Sequence, residues 1–247
     1  MDRVDNRKLD KCDAYLRCIG RPGVYHYRIN YLSEGMGEFE AGPEYEIVVE
    51  AFKGKETIRK PEEVKQHDIQ VVYDAKLRYF HAKPARLDII AGDLVLWHKP
   101  SKEGGAFSVS GFSEDGDTFD SRRLGYATVY MHNFLESGTY NYTNTYGRGG
   151  SQSGTVKVVP IGKDYEEWLE RLKKPAVVNY VKGAFTPSKV EVVQGGAVMW
   201  VVQDDVKISV VVKARRRPGK IVKVAVGRVR PAKSHLTAKY TKHLRSI

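Results

Sequence analysis

Short runs rich in Val, Ile, Tyr and Thr recur along most of the chain, and Gly, Pro, Asn and Asp separate them. Runs of this length and composition, bounded by turn residues, are typical of antiparallel β-sandwiches. The pattern predicts strands over residues 45–52, 69–75, 86–90, 94–97, 155–159, 189–193, 197–202 and 207–212. The predicted fold class is therefore all-β.

One segment departs from this pattern and has helical spacing. Residues 164–174 begin with an Asp and are followed by Pro175, which ends a helix. Four apolar residues of this segment share one helical face: Tyr165, Trp168, Leu169 and Leu172. The sequence therefore predicts one linker helix here, and a second, weak helix or a loop over residues 60–66.

Two motifs occur twice in the chain. Residues 80–97 are similar to residues 184–200, and the matched residues are Pro84 with Pro187, Gly92 with Gly195, and Trp97 with Trp200. Residues 15–27 match residues 130–142 without a gap, pairing Tyr15, Gly23, Tyr25 and Tyr27 with Tyr130, Gly138, Tyr140 and Tyr142. The chain therefore contains an internal duplication.

The order of the motifs predicts how the chain divides into domains. Residues 77–162 contain one copy of each motif and are predicted to form an intact domain. Residues 1–57 and 176–230 carry one motif each, and we expect them to combine into a second sandwich, because a lone half would expose an unpaired sheet edge. The other segments are predicted as linkers and a tail: residues 58–76, the helical residues 163–175 and the basic residues 231–247.

Two ways of completing the second sandwich remain open. The two halves either pair within one chain, which gives a circularly permuted domain, or they pair between chains, which gives strand-exchanged oligomers. The sequence does not choose between these alternatives.

The middle segment carries further motifs in a defined order: Pro84, the strand 86–90, Gly92-Asp93, the strand 94–97, Gly138-Thr139-Tyr140-x-Tyr142 and Gly154-Thr155-Val156-Lys157-Val158. In this order they resemble a cupredoxin, the plastocyanin-like Greek-key sandwich. The resemblance implies two cupredoxin-like sandwiches once the split copy is included.

The resemblance also implies where a copper site would lie. Blue-copper members of the family bind copper through two His, one Cys and a weak axial Met. The corresponding positions in the middle segment are Asn144, Gly147, a residue near Gln152 and a residue at or near Phe107. In the split copy they are Ile29, Leu32 and either Lys207 or Ile208. These residues are not the family's ligands, so we expect the fold without copper, without electron-transfer chemistry and without a cofactor.

Other candidate chemistry is sparse. Three histidines of the middle segment, His81, His98 and His132, leave a displaced metal site as an alternative, although they lack a metal-ligand spacing. The sequence contains no Ser-His-Asp or Cys-His arrangement in a recognisable local context, so we predict a non-enzyme with no catalytic residue. Cys12 and Cys18 are interpreted as free thiols, and a redox pair is the alternative.

The positive charge is concentrated at the C-terminal end. Residues 213–247 contain 12 Lys and Arg and no Asp or Glu, whereas residues 1–212 contain 29 basic and 30 acidic residues. Basic and apolar residues alternate around Arg217-Pro218-Gly219, which predicts a β-hairpin. The candidate polyanion-binding residues are Lys213, Arg215, Arg216, Arg217, Lys220, Lys223, Arg228 and Arg230.

These observations lead to one main functional hypothesis. It is a non-enzymatic, copper-free structural or assembly protein that makes protein–protein contacts or self-associates and whose basic arm binds a polyanion or an acidic partner. The alternatives are a nucleic-acid-binding protein that uses this arm and a metal-binding electron carrier with a displaced site. The N-terminal residues lack a secretory signal, and no apolar run reaches the roughly 18 residues that span a membrane, so we expect a cytoplasmic protein without membrane insertion.

Overall fold

The computed structural model describes residues 4–32, 39–54, 59–145, 152–162, 164–204 and 208–212. Among these residues it contains eighteen β-strands, one α-helix and one short 3₁₀ helix, so the all-β prediction is confirmed. The helices of the described residues include none long and apolar enough to cross a membrane.

The strands fall into two consecutive series. The first comprises β1 (Asp13–Cys18), β2 (Gly23–Leu32), β3 (Phe39–Glu40), β4 (Glu44–Glu50), β5 (Gln66–Asp74), β6 (Tyr79–Lys83), β7 (Arg86–Ile90), β8 (Leu94–His98), β9 (Phe107–Ser113) and β10 (Thr118–Asp120). The second comprises β11 (Thr128–Asn133), β12 (Gly138–Asn144), β13 (Ser153–Val159), β14 (Ala176–Val181), β15 (Ala184–Thr186), β16 (Lys189–Val193), β17 (Ala197–Val202) and β18 (Val210–Val212). The α-helix, α1 (Tyr165–Leu172), follows β13, and the 3₁₀ helix (Pro61–Glu63) follows β4.

Each series forms one β-sandwich, and the two sandwiches share a sheet. An eight-stranded sheet has the order β15-β14-β17-β11-β1-β8-β5-β6. Its first-series half faces the sheet β10-β9-β2-β4-β7, in which β3 also pairs with β2, and its second-series half faces the sheet β16-β13-β12-β18. The antiparallel pair β1–β11 joins the sandwiches at the middle of the large sheet, and we call this pair the seam.

The strand pairings of the first sandwich recur in the second. The antiparallel pair β2–β4 corresponds to β12–β13, and the antiparallel pair β1–β8 corresponds to β11–β17. The parallel pairs β4–β7 and β5–β8 correspond to β13–β16 and β14–β17. The motifs that occur twice in the sequence therefore occupy equivalent places in two similar sandwiches.

Matched aromatic residues form the core of each sandwich. Tyr15 stacks on Trp97 at 5.6 Å between ring centroids, and Tyr130 stacks on Trp200 at 5.3 Å. A tyrosine of the facing sheet meets each tryptophan edge-on, Tyr27 at Trp97 and Tyr142 at Trp200. Aromatic pairs in these geometries add to the free energy gained by burying their area, which explains why the repeat is clearest at these positions.

The observed pairing differs from the predicted division of the chain. The predicted intact domain, residues 77–162, is shared between the sandwiches. Strands β6–β9 pair with strands of the first series, whereas β12 and β13 pair with each other and with β18 and β16, and β11 pairs with β17 as well as with β1 at the seam. The predicted linker 58–76 contains β5. Each sandwich is contiguous in sequence, so its strands need neither circular permutation nor exchange between chains. The two pairs of similar motifs do occupy equivalent strands. The motifs that share a sandwich, however, are the ones closer together in the sequence, because neighbouring segments pair more readily than distant ones.

Local predictions agree with the structure more closely. Helix α1 lies within the predicted residues 164–174, and its first turn is capped by Asp164, which accepts a hydrogen bond from the Glu167 N–H at 3.0 Å. The 3₁₀ helix lies within the predicted residues 60–66. Strands β7, β16 and β17 have the predicted bounds.

Candidate functional site

The positions that correspond to copper ligands hold the chain together instead. Asn144 ends β12, its side-chain Oδ1 accepts a hydrogen bond from the Ser209 N–H at 3.0 Å, and its own N–H donates to the Gln152 carbonyl at 2.9 Å. Phe107, which the sequence placed beside Asn144, is fully buried in the other sandwich and pairs with Tyr31. Gly147, Lys207 and the side chain of Leu32 lie outside the described residues.

The candidate metal-binding histidines are distributed over two sandwiches. His81 lies on β6 with its Nε2 3.3 Å from Asp74, and His98 lies on β8. His132 lies on β11, which belongs to the second sandwich. Over the described ranges, no three or more His, Cys, Asp and Glu side chains group in a way that would hold a metal ion.

The two cysteines lie at opposite ends of β1. Neither cysteine forms a disulfide in the described residues, and both residues are partly buried. Six residues of extended strand separate Cys12 from Cys18 by about 20 Å, which is far beyond the span of a disulfide. Burial raises the pKa of the Cys18 thiol. This fold therefore excludes an intramolecular redox pair between them.

All eight candidate polyanion-binding residues, from Lys213 to Arg230, lie outside the described residues. The strand that leads into them is firmly held. The Val210 N–H of β18 donates to Asn6 Oδ1 at 2.8 Å, and the Val212 N–H donates to the Val4 carbonyl at 3.0 Å. The basic segment therefore continues from a strand that is anchored to the N-terminal residues.

A buried polar cluster lies on one side of the seam. Asp13 is 4% exposed, and its Oδ1 accepts hydrogen bonds from the Tyr130 hydroxyl at 2.7 Å and from His132 Nδ1 at 2.6 Å. Burial and the Asp13 charge raise the pKa of Tyr130 well above its ordinary value, so its hydroxyl stays a donor. The Asp13 carboxylate is therefore buried and hydrogen-bonded by side chains of the same protein.

A second carboxylate, Asp93, is also enclosed by the chain. Its Oδ1 accepts from Arg59 Nη1 at 2.7 Å, and its Oδ2 lies 3.0 Å from His67 Nε2. Asp93 is 1% exposed, and these bonds tie the segment before β5 to the turn before β8. This cluster is a structural clamp, because its polar groups are used to hold the chain.

A cavity of about 240 Å³ opens on the other side of the seam. Its lining comes from β1, β9, β10, β11 and the segment between β10 and β11, and comprises Tyr15, Arg17, Ser110, Thr118, Phe119, Asp120, Arg123, Gly125 and Thr128. Tyr15, Arg17, Phe119 and Thr128 are buried, whereas Thr118 and Arg123 are exposed and stand at the mouth.

Two hydrogen-bond donors in this cavity are unsatisfied. Arg17 binds both carboxylate oxygens of Asp117 through its Nη2, each at 2.8 Å, and its guanidinium lies 5.2 Å from the Phe119 ring centroid. The Arg17 Nε and the Tyr15 hydroxyl are buried and have no hydrogen-bond partner among the described residues. Burial raises the pKa of Tyr15, while the nearby Arg17 charge opposes the rise, so the hydroxyl remains protonated.

Unsatisfied buried donors cost free energy, and where they persist in a cavity they mark a place for an acceptor. The arrangement is able to bind an acidic or carbonyl oxygen, and it lacks a nucleophile–base pair. The sequence singled out Tyr15 for the repeat alone and missed Arg17 and the cavity. The sequence did contain a signal for Arg17, because the gapless match of residues 15–27 with 130–142 makes Arg17 equivalent to another basic residue, His132.

Comparisons of the chain with protein-family models, with curated proteins and with solved structures found no match.

Proposed function

We propose that this chain is a non-enzymatic, metal-free assembly protein with two cupredoxin-like sandwiches, and that its basic segment, residues 213–247, binds a polyanion. One observation carries the proposal. The segment holds 12 basic and no acidic residues, whereas the preceding 212 residues hold 29 basic and 30 acidic residues. A nearly neutral body contributes little long-range attraction, so the attraction for a polyanion is confined to this segment.

The described residues support this division of labour. The two sandwiches share one continuous hydrophobic core, and β18 directly precedes the basic segment in the sequence. Asn6 is fully buried, and its Oδ1 accepts from both the Ser209 hydroxyl and the Val210 N–H. The basic segment therefore follows directly in sequence on a strand that is hydrogen-bonded to the N-terminal residues.

Fluorescence anisotropy with labelled double-stranded DNA, single-stranded RNA and polyglutamate tests the polyanion part. We expect the full chain to bind at low salt and to lose about 10³–10⁵ in affinity between 50 and 200 mM salt if it makes six to ten phosphate contacts. A chain that ends at Val212 keeps β18 and should not bind.

A matched pair of triple variants separates the segment from the body. Replacing Arg215, Arg216 and Arg217 with Gln should weaken binding, whereas replacing the exposed Lys65, Lys83 and Lys189 with Gln should leave it nearly unchanged. Binding that survives deletion of residues 213–247, or equal effects of both triple variants, would overturn the proposal. Binding to polyglutamate without binding to either nucleic acid would indicate an acidic protein partner.

The assembly part has its own measurement. Size-exclusion chromatography with light scattering should show oligomers of the full chain at micromolar concentration, alone or after addition of the polyanion. A strictly monomeric chain under both conditions would contradict an assembly role while leaving polyanion binding intact.

A further inference from the structure

The two sides of the seam are equivalent in sequence and in register. In the β1–β11 pair, Tyr15 lies opposite Tyr130, Asp13 lies opposite His132, and Arg17 lies opposite Thr128. The gapless match of the two motifs makes Asp13 equivalent to Thr128 and Arg17 equivalent to His132. A local two-fold axis therefore relates the buried polar cluster to the cavity.

We call the side of the seam with the buried polar cluster the closed side. There the chain supplies a carboxylate to a tyrosine and a basic residue. Asp13 Oδ1 accepts from the Tyr130 hydroxyl at 2.7 Å and from His132 Nδ1 at 2.6 Å. All three side chains are buried.

We call the side of the seam with the cavity the open side. There the equivalent tyrosine and basic residue are present, but the equivalent carboxylate is absent. Thr128 stands where Asp13 stands on the closed side, and its hydroxyl donates to the Gly125 carbonyl at 2.6 Å. The Tyr15 hydroxyl and Arg17 Nε have no hydrogen-bond partner in the part of the chain that the structure describes. Tyr15 and Arg17 are both among the residues that line the cavity of about 240 Å³.

We propose that this cavity is a binding site for a monoanionic carboxylate, whose oxygens accept hydrogen bonds from the Tyr15 hydroxyl and from Arg17 Nε. The ligand carboxylate takes the part that Asp13 takes between Tyr130 and His132. The closed side thus identifies the chemistry of the group that completes the open side.

The charges around the cavity fit a single negative charge. Arg17 is paired with Asp117, and Asp120 is paired with Arg122. Both arginines of these pairs already have a carboxylate partner, so the remaining positive charge suits a carboxylate better than a phosphate dianion.

The shape of the cavity fits a small ligand with a flat apolar part. Tyr15 and Phe119 supply aromatic surface, and the exposed Thr118 and Arg123 leave a route from solvent. A free small acid and the C-terminal carboxylate of a peptide offer the same chemistry, so the test uses one probe for each source.

Isothermal titration calorimetry on the full chain tests the site with benzoate and with the tripeptide Gly-Gly-Phe. The neutral isosteres benzamide and Gly-Gly-Phe amide are matched controls, and inorganic phosphate is a third probe. We expect at least one carboxylate to bind, its amide to bind at least tenfold more weakly, and phosphate not to compete.

Two variants locate the site. Tyr15→Phe keeps the ring on Trp97 and removes the donor, and it should weaken carboxylate binding about tenfold or more. Thr128→Asp should supply the missing carboxylate from the chain itself and abolish binding. Tyr130→Phe removes the equivalent hydroxyl on the closed side and should leave the dissociation constant unchanged, which makes it the matched control.

Each outcome decides the proposal. If neither carboxylate binds the folded wild-type chain, if phosphate binds in their place, or if Tyr15→Phe leaves the affinity unchanged, the proposal is wrong. Thr128→Asp has a second readout besides calorimetry: its melting temperature should not rise when the binding carboxylate is added, whereas that of the wild type should. A preference for benzoate or for the tripeptide identifies the source of the carboxylate.

Discussion

Tyr15 lies directly opposite Tyr130 in the seam, and the two hydroxyls differ in their hydrogen bonding. The Tyr130 hydroxyl donates to Asp13, whereas the Tyr15 hydroxyl has no hydrogen-bond partner in the described residues. The two equivalent tyrosines therefore differ in whether the chain supplies an acceptor for the hydroxyl.

The closed side of the seam should contribute strongly to stability. Asp13→Ala leaves the Tyr130 hydroxyl and the buried His132 without their shared acceptor, so we expect a loss of about 3–5 kcal/mol in the free energy of unfolding. Urea denaturation measures it. Asp88→Ala is the control, because the Asp88 side chain is 65% exposed and its removal should cost less than about 0.5 kcal/mol. Equal losses in the two variants would contradict this role of Asp13.

Asp93 should make the fold sensitive to acid. Burial opposes its ionisation, but hydrogen bonds from two backbone N–H groups, His67 and Arg59 outweigh burial and lower its pKa from 3.8 to about 2. Because the folded-state pKa lies below the unfolded one, the stabilisation is present above about pH 4 and is lost as the pH falls toward 2. The shift corresponds to about 2 kcal/mol.

Unfolding free energies at pH 5 and pH 2 of the wild type and of Asp93→Asn check this prediction. The variant should be less stable at pH 5, and the difference between the two proteins should shrink at pH 2. A difference that does not change with pH would show that the Asp93 charge is not responsible.

Gly111 on β9 should not tolerate a side chain. A Cβ atom at this position would collide with the Phe119 ring and would lie 2.7 Å from the His26 carbonyl oxygen, which is backbone and unable to move freely. We expect Gly111→Ala to lose about 1–3 kcal/mol in urea denaturation. Gly20→Ala is the control, since a Cβ there has no atom within 4 Å, and it should be neutral or slightly stabilising.

Both cysteines should titrate as thiols without reductant. Cys18 should react more slowly than an exposed thiol with a thiol-specific reagent at neutral pH, because burial raises its pKa and lowers the thiolate fraction. The single variants Cys12→Ser and Cys18→Ser assign each phase of the reaction. A monomer that shows no thiols until reductant is added would contradict the separation of the two residues along β1.

The sequence predicted those elements whose hydrophobic pattern is regular. Strands β7, β16 and β17 alternate cleanly, and their predicted bounds are correct. Strand β1 was not among the predicted strands, because Asp13 and Arg17 interrupt its apolar pattern although both are buried. Their polarity is explained by the seam cluster and the cavity, and neither feature is visible from hydropathy.

The grouping of strands into sandwiches and the position of the cavity depend on long-range contacts. Local patterns identified two pairs of similar motifs but carried no information about which members pair. The cavity requires the register of β1 against β11, since only that register sets Thr128 opposite Arg17.

The seam has the geometry of an edge-to-edge homodimer interface that lies within one polypeptide. Identical subunits must carry the same residue at both copies of such an interface, so any change appears twice. Covalent tandem linkage removes that constraint and also makes the association independent of concentration. Asp13 and Thr128 differ at one such pair of positions, so the chain itself supplies an acceptor to Tyr130 and supplies none to Tyr15 in the described residues.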